Sequence, residues 1–148
     1  MMGDKFDENA DNCLSYFLDF CKQRGYVTFS DYPRYHPYDL KVWNETESIV
    51  ELKMRECTVT DFNDCFLQLD KCTKLQYIAK NEGNQALYVA LYPKSDKIAI
   101  WKIDKDKQYD WEWRYMWDET SSNSRKKVWK QVILLPISEA KQVDYQFN

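Results

Sequence analysis

The chain predicts one mixed α/β domain over residues 1–148, with helices flanking a central mixed sheet and an aromatic-rich hairpin late in the sequence. Three patterns carry this expectation. Residues 5–24 space their apolar side chains by three and four, two pairs of alternating segments are separated by turn residues, and residues 109–117 carry an aromatic at every second position. With 44% hydrophobic residues, a chain of this length has enough apolar material for one core.

In chain order, Phe6, Ala10, Cys13, Leu14, Phe17, Phe20 and Cys21 form the stripe of a core-facing helix that Gly25 ends. Tyr26 to Ser30 is a short β-prone run, and residues 31–37, with prolines at 33 and 37, read as irregular. Tyr38 to Trp43 and Ser48 to Arg55 alternate around Asn44-Glu-Thr-Glu47, a β-hairpin with a four-residue turn. Cys65 to Leu69 reads as a strand, followed by Asp70 as the N-cap of a helix that carries Leu75, Ile78 and Ala79 and stops at Gly83. Ala86 to Leu91 and Lys97 to Ile103 form a second hairpin. Tyr109, Trp111, Trp113, Tyr115 and Trp117 would share one face of a strand whose partner is Lys127 to Leu135. A core role for that face, packed against a helix, is the expectation; the alternative is a platform that stacks unpaired bases.

Several classes of protein are disfavoured by composition. The longest apolar runs, such as Val132 to Leu135, are too short to span a bilayer, and the polar, acidic first residues are unlike a secretory signal, so a soluble, cytoplasmic protein is expected. Cys13, Cys21, Cys57, Cys65 and Cys72 are odd in number and without a C-x-x-C pair, and His36 is the one histidine; neither a disulfide framework nor a Cys/His zinc site follows. A net charge of −3 argues against coating nucleic acid through bulk electrostatics. Local contacts remain open, because Arg125, Lys126 and Lys127 cluster, as do Lys71 and Lys74.

Ser48-Ile-Val-Glu51-Leu-Lys53-Met-Arg55 carries the residues from which chemistry can be built. On a strand, Glu51 and Lys53 point to one face about 7 Å apart, while Val50 and Leu52 face the core and the Leu52 carbonyl is exposed between them. Asp39, in the preceding strand of the hairpin, can bring its carboxylate beside Glu51. Two carboxylates and a lysine are what phosphodiester hydrolysis needs: oxygen ligands for a hard cation, and a positive group near the attacking water. The bland alternative is a solvated strand face with one ion pair.

Pro37-Tyr38-Asp39, eleven intervening residues, then two hydrophobic residues before Glu51-Leu52-Lys53, with a helix before and a helix and hairpin after, resembles the PD-(D/E)xK nuclease superfamily. The similarity runs over roughly residues 5–103 in element order. Phe66-Leu-Gln-Leu-Asp-Lys71, Tyr88-Val-Ala-Leu and Ile98-Ala-Ile-Trp101 also resemble compact members from phages and mobile elements. The resemblance implies a restriction-endonuclease-like fold and a Mg²⁺- or Mn²⁺-dependent nuclease acting on DNA, within a phage-infected host; a homodimer is compatible with it. By position it implies Asp39, Glu51 and the Leu52 carbonyl as metal ligands and Lys53 as the residue that orients water and stabilises charge. The proline stands one place early, and Glu8, the nearest candidate for a first-helix carboxylate, falls opposite the apolar stripe.

Lys71 could reach the site and contact a substrate phosphate, or be a snorkelling surface lysine. Arg125, Lys126 and Lys127 could supply further phosphate contacts. His36 could act as an acid, although a loop histidine without a partner is usually incidental. Two other functional classes stay open: a catalytically silent nuclease-fold protein with an accessory or counter-defence role in a mobile element, and a single-strand-binding module built on the aromatic strand.

Overall fold

Two sheets and two helices organise the chain, in a computed structural model that describes residues 2–33, 35–117 and 126–147, with side chains from residue 12 onward. The helices are α1 (Met2–Gln23) and α2 (Leu69–Glu82). The strands are β1 (Val27–Phe29), β2 (Leu40–Asn44), β3 (Thr46–Met54), β4 (Asp64–Gln68), β5 (Gln85–Tyr92), β6 (Lys97–Ile103), β7 (Glu112–Trp117), β8 (Lys127–Pro136) and β9 (Lys141–Asp144). Six strands form a mixed central sheet in the order β1-β2-β3-β5-β6-β9, in which β3 and β5 run parallel and the other neighbours antiparallel. The expected α/β class with a central mixed sheet and flanking helices is thus the observed one. The strand at 64–68, however, leaves the central sheet: β4, β8 and β7 make a separate three-stranded antiparallel sheet.

Helix α1 ends as its sequence dictates. Gly25 takes φ 75°, and the amides of Gly25 and Tyr26 donate to the carbonyls of Lys22 and Cys21 at 3.1 and 2.9 Å, a Schellman closure. Its apolar stripe, Cys13, Phe17, Phe20 and Cys21, is buried against Leu40, Val42, Val50, Val89, Leu91 and Ile98 of the central sheet. The opposite sheet face, with Ile49, Tyr88, Ala90 and Trp101, packs on Leu75 and Ala79 of α2 and on Cys65, Leu67, Ile133 and Leu135 of the second sheet. Strand β5 therefore lies between two cores, which explains its nearly unbroken apolar sequence. A parallel pair needs a crossover, and β4 with α2 supplies the one between β3 and β5.

Local expectations need correction at three points. The first hairpin turns more tightly than Asn44-Glu-Thr-Glu47 implies: Asn44 pairs with Thr46, and Glu45 alone stands outside the strands at φ 66°. Asp70 is not the N-cap of α2. The helix begins at Leu69 with Gln68 in the cap position, and the Asp70 carboxylate accepts from the Lys71 amide at 2.9 Å. Strand β9 was not anticipated; its Lys-Gln-Val-Asp sequence carries little β-signal and is held by antiparallel pairing with β6.

The aromatic run is strand and alternates as expected, but its core assignment is overturned. Register puts Trp113, Tyr115 and Trp117 on the same face of the second sheet as Trp129, Ile133, Leu135, Cys65 and Leu67. The inner end of that face, Cys65, Leu67, Ile133 and Leu135, is buried. The outer end is not covered by any described element: Trp111, Trp113, Tyr115, Trp117 and Trp129 are 46–65% exposed.

Arg55 pins the two sheets together. Its Nη2 donates to the Phe66 carbonyl of β4 at 2.8 Å and to the Tyr88 hydroxyl of β5 at 3.0 Å, while that hydroxyl donates to the same carbonyl at 2.9 Å. Trp101 Nε1 makes a second bridge, to the Pro136 carbonyl at 2.8 Å. Tyr88→Phe removes the shared hydroxyl and leaves Arg55 and the carbonyl each short of one partner. We expect it to lower stability by about 1–3 kcal/mol in urea denaturation; an unshifted midpoint would show that the sheets do not depend on this contact.

Candidate active site

The β2–β3 hairpin sets the geometry. Leu40 pairs with Val50, so Asp39, just before β2, stands opposite Glu51, and the Asp39 amide donates to the Val50 carbonyl at 2.8 Å. The Asp39 carboxylate turns onto the strand and accepts from the Leu52 amide at 2.7 Å. Because the N–H and C=O of a strand residue point to the same side, the Leu52 carbonyl is directed past the end of β2, beside Asp39. Glu51 and Lys53 share the other face, where Ile49 precedes them, while Val50 and Leu52 turn to the α1 core.

That face is a crevice and not open solvent. Glu51, Leu52, Lys53, Arg55, Gln68 and Lys71 border a half-open cleft of about 30 Å³, whose far wall is Phe66, Met116 and Val132 of the second sheet. It has room for roughly two water molecules. Glu51 is buried, and its carboxylate meets Lys71 Nζ of α2 at 3.1 Å. Lys71 therefore does reach the site, through Glu51.

Electrostatics register how crowded the two carboxyl groups are. Burial, then the charge of Asp39, pushes Glu51 up to about 7, against the partial relief of Lys71 and Lys53. Asp39 is raised too, by burial of its inward-turned carboxyl, although the residue as a whole is exposed; the Leu52 amide and Lys71 counter that shift, as does a hydrogen bond from Glu51. The carboxyl groups thus interact directly: the Asp39 charge raises Glu51, and the Glu51 hydrogen bond favours ionised Asp39. On α1, Cys13 senses the site: burial and then the Asp39 charge raise its thiol to about 12. Among the described residues no three His, Cys, Asp or Glu side chains converge as a metal cluster. Glu8 lies outside the described side chains.

The other residues singled out from sequence divide. His36 stacks on Tyr32 at 4.0 Å between ring centroids and meets Tyr38 edge-on at 4.4 Å, which makes it part of an aromatic cluster. Lys126 and Lys127 are exposed at the start of β8, beside the aromatic end and off the cleft wall; Arg125 lies outside the described residues. Arg55, Gln68 and Met116 border the cleft without having been singled out. For Arg55 the signal was present, since Glu51, Lys53 and Arg55 continue one alternation.

No family model matches the chain, and no curated protein matches it. Among solved structures it is similar to Hjc, a Holliday junction resolvase from the hyperthermophilic archaeon Archaeoglobus fulgidus. The identity is 14% and the TM-score 0.49, over 89% of this chain and 83% of that one.

The raised Glu51 carboxyl has a direct consequence for stability. A folded-state value near 7 against an ordinary 4.5 means that the native state holds a proton the unfolded chain has released. Stability from this group is therefore fully present below about pH 4.5 and falls as pH rises through 7, by about 3 kcal/mol for a shift of this size. In chelator, Glu51→Gln should flatten that fall and leave the variant more stable than wild type at pH 8. Parallel pH–stability profiles of the two proteins would show that the carboxyl groups do not repel each other in the fold.

Proposed function

We propose that the chain is a metal-dependent nuclease that hydrolyses phosphodiester bonds of DNA. The observation that supports this best is the contact of Asp39 with Glu51, both held above the ordinary carboxylate range, where Glu51 and Lys53 border one cleft. Burying Glu51 beside the charge of Asp39 weakens the fold, and such strain is typical of a site built for a cation. The donor set fits: Asp39, Glu51 and the Leu52 carbonyl are all hard oxygen ligands, suited to Mg²⁺ or Mn²⁺, which keep several waters besides their protein ligands. Bound there, such an ion activates water for attack on phosphorus and offsets charge on the leaving oxygen.

The chain's own groups have separable tasks in this reading. The Leu52 amide fixes the Asp39 carboxylate, leaving its second oxygen for the ligand. Glu51 gives up its proton when a cation arrives, which makes metal affinity rise with pH through about 7. Lys53 holds the attacking water and stabilises charge that grows on the phosphoryl oxygens. Lys71 favours the ionised form of Glu51 and, partly exposed, can turn to a substrate phosphate. Lys126 and Lys127, with Arg125 in the sequence beside them, would hold the DNA backbone away from the cut. An intracellular setting in a phage-infected host accords with this reading.

One observation favours a second reading. Lys71 Nζ lies against Glu51 where a cation would otherwise be needed, so the ammonium could replace the metal in a catalytically silent partner-binding protein. Metal titration separates the two. Lys53→Ala should reduce cleavage of plasmid and single-stranded DNA at least about 100-fold while metal binding persists, because the lysine acts on water and phosphate and is not a ligand. Glu51→Ala should lose both. If wild type binds no divalent ion at millimolar concentration and cuts no nucleic acid, the nuclease assignment fails.

A further inference from the structure

The exposed aromatic end of the second sheet has no role in the proposed chemistry, and its composition is unusual for a free surface. Trp113, Tyr115 and Trp117 of β7 stand on one face with Trp129 of β8, and Trp111 lies edge-on to Trp113 at 5.7 Å between centroids. Tyr115 and Trp129 form a second ring pair, at 5.2 Å. An apolar patch of this kind on a folded domain marks a binding surface.

Charge selects the occupant. On the aromatic face the described strand positions 113, 115, 117, 127, 129 and 131 carry one cation, Lys127, and no carboxylate; Glu112, Arg114 and Lys130 stand on the opposite face, where Arg114 pairs with Glu112 at 3.1 Å. Lys127 Nζ sits 5.3 Å from the Trp117 ring centroid, on the aromatic face itself. In a chain of net charge −3 this face joins exposed rings to a cation, with no anion among its described strand positions. Bases with free π-faces, joined by phosphates, match both features. A duplex keeps those faces inside its own stack. A second copy docked on this face by two-fold symmetry would bring a second Lys127 and, from the described strand positions of the face, no carboxylate to pair it.

Position selects the function. Strand β7 is an edge of its sheet, since it pairs with β8 alone. Its aromatic face is one side; on the other, Arg114 lies over Phe66 at 5.2 Å, and Met116 lines the same cleft as Glu51 and Lys53. A strand that leaves the cleft around this edge meets the rings next.

We propose that residues 111–117 and 127–129 form a stacking platform for single-stranded DNA adjoining the cleavage site, so that the substrate is DNA with unpaired bases beside the cut. The platform stands on its own geometry; only the location of the cut rests on the nuclease reading. In chelator, an oligothymidylate of about 12 nucleotides should quench tryptophan fluorescence of the full chain far more strongly than a duplex of equal length. Trp113→Ala with Trp129→Ala should weaken that binding by roughly tenfold or more, Trp129→Tyr alone should retain most of it, and Lys127→Gln should reduce its salt dependence. All are surface changes, and unaltered thermal melting verifies that each variant is folded.

Unchanged fluorescence, or equal affinity in the double variant, overturns the platform. So does self-association that the double variant abolishes, which assigns the face to a second copy, and so does tighter binding of oligouridylate, which assigns it to RNA. Cleavage by wild type with Mg²⁺ is scored separately. Cutting without oligonucleotide binding removes the platform alone, and binding without cutting removes the nuclease alone.

Discussion

A buried carboxyl group, Glu51, placed beside the carboxylate of Asp39 imposes the strongest demand on this chain. Neither ionises freely: desolvation raises both, and Glu51 also faces the charge of Asp39. The fold answers with a backbone amide on Asp39 and an ammonium on Glu51. Those two answers come from different levels of structure. The amide follows from hairpin register alone, whereas Lys71 stands at the beginning of α2 and reaches Glu51 only because the crossover carries that helix onto the β3–β5 pair. The parallel pairing in the central sheet is thereby tied to the charge state of the site.

The second sheet completes the enclosure. Without β4, β7 and β8, Glu51 and Lys53 would lie on an open face in high dielectric, where two carboxylates perturb each other little. Arg55 fixes the spacing of the two walls through one carbonyl and one hydroxyl. A guanidinium suits this position because it cannot lose its charge and offers several donors in a fixed plane. The floor of the cleft and its hinge-like pin thus come from one alternating stretch, Glu51, Lys53 and Arg55.

Sequence was informative where periodicity and local chemistry decide structure. Helix α1, its glycine stop, both hairpins and the opposition of Asp39 to Glu51 could be read from spacing, because each depends on residues near in the chain. What escaped depends on distant partners. Cys65 to Leu69 reads as a strand in either sheet, and only pairing with β8 decides which. The aromatics alternate as a buried face would, and the inner part of that same face is indeed core; nothing local says where α2 and the central sheet stop covering it. Asp70 lost the cap position to a helix that starts two residues earlier, at Leu69, after a strand that runs straight into it. For Lys71, contact with Glu51 required knowing how the crossover lies.

Strand β9 and the residues after it bring together positions far apart in sequence. Val143 and Tyr145 pack on the α1 side of the central sheet, where Phe20 meets the Tyr145 ring, and the Tyr145 hydroxyl donates to the Asp19 carboxylate at 2.6 Å. Asp19 is separated from Tyr145 by 126 positions. Closing so long a loop yields no contact until late, and topologies rich in such contacts fold slowly. During synthesis, α1 therefore emerges with its apolar stripe uncovered, gains most of its cover from strand residues up to Ile98, and completes its core only when Tyr145 arrives.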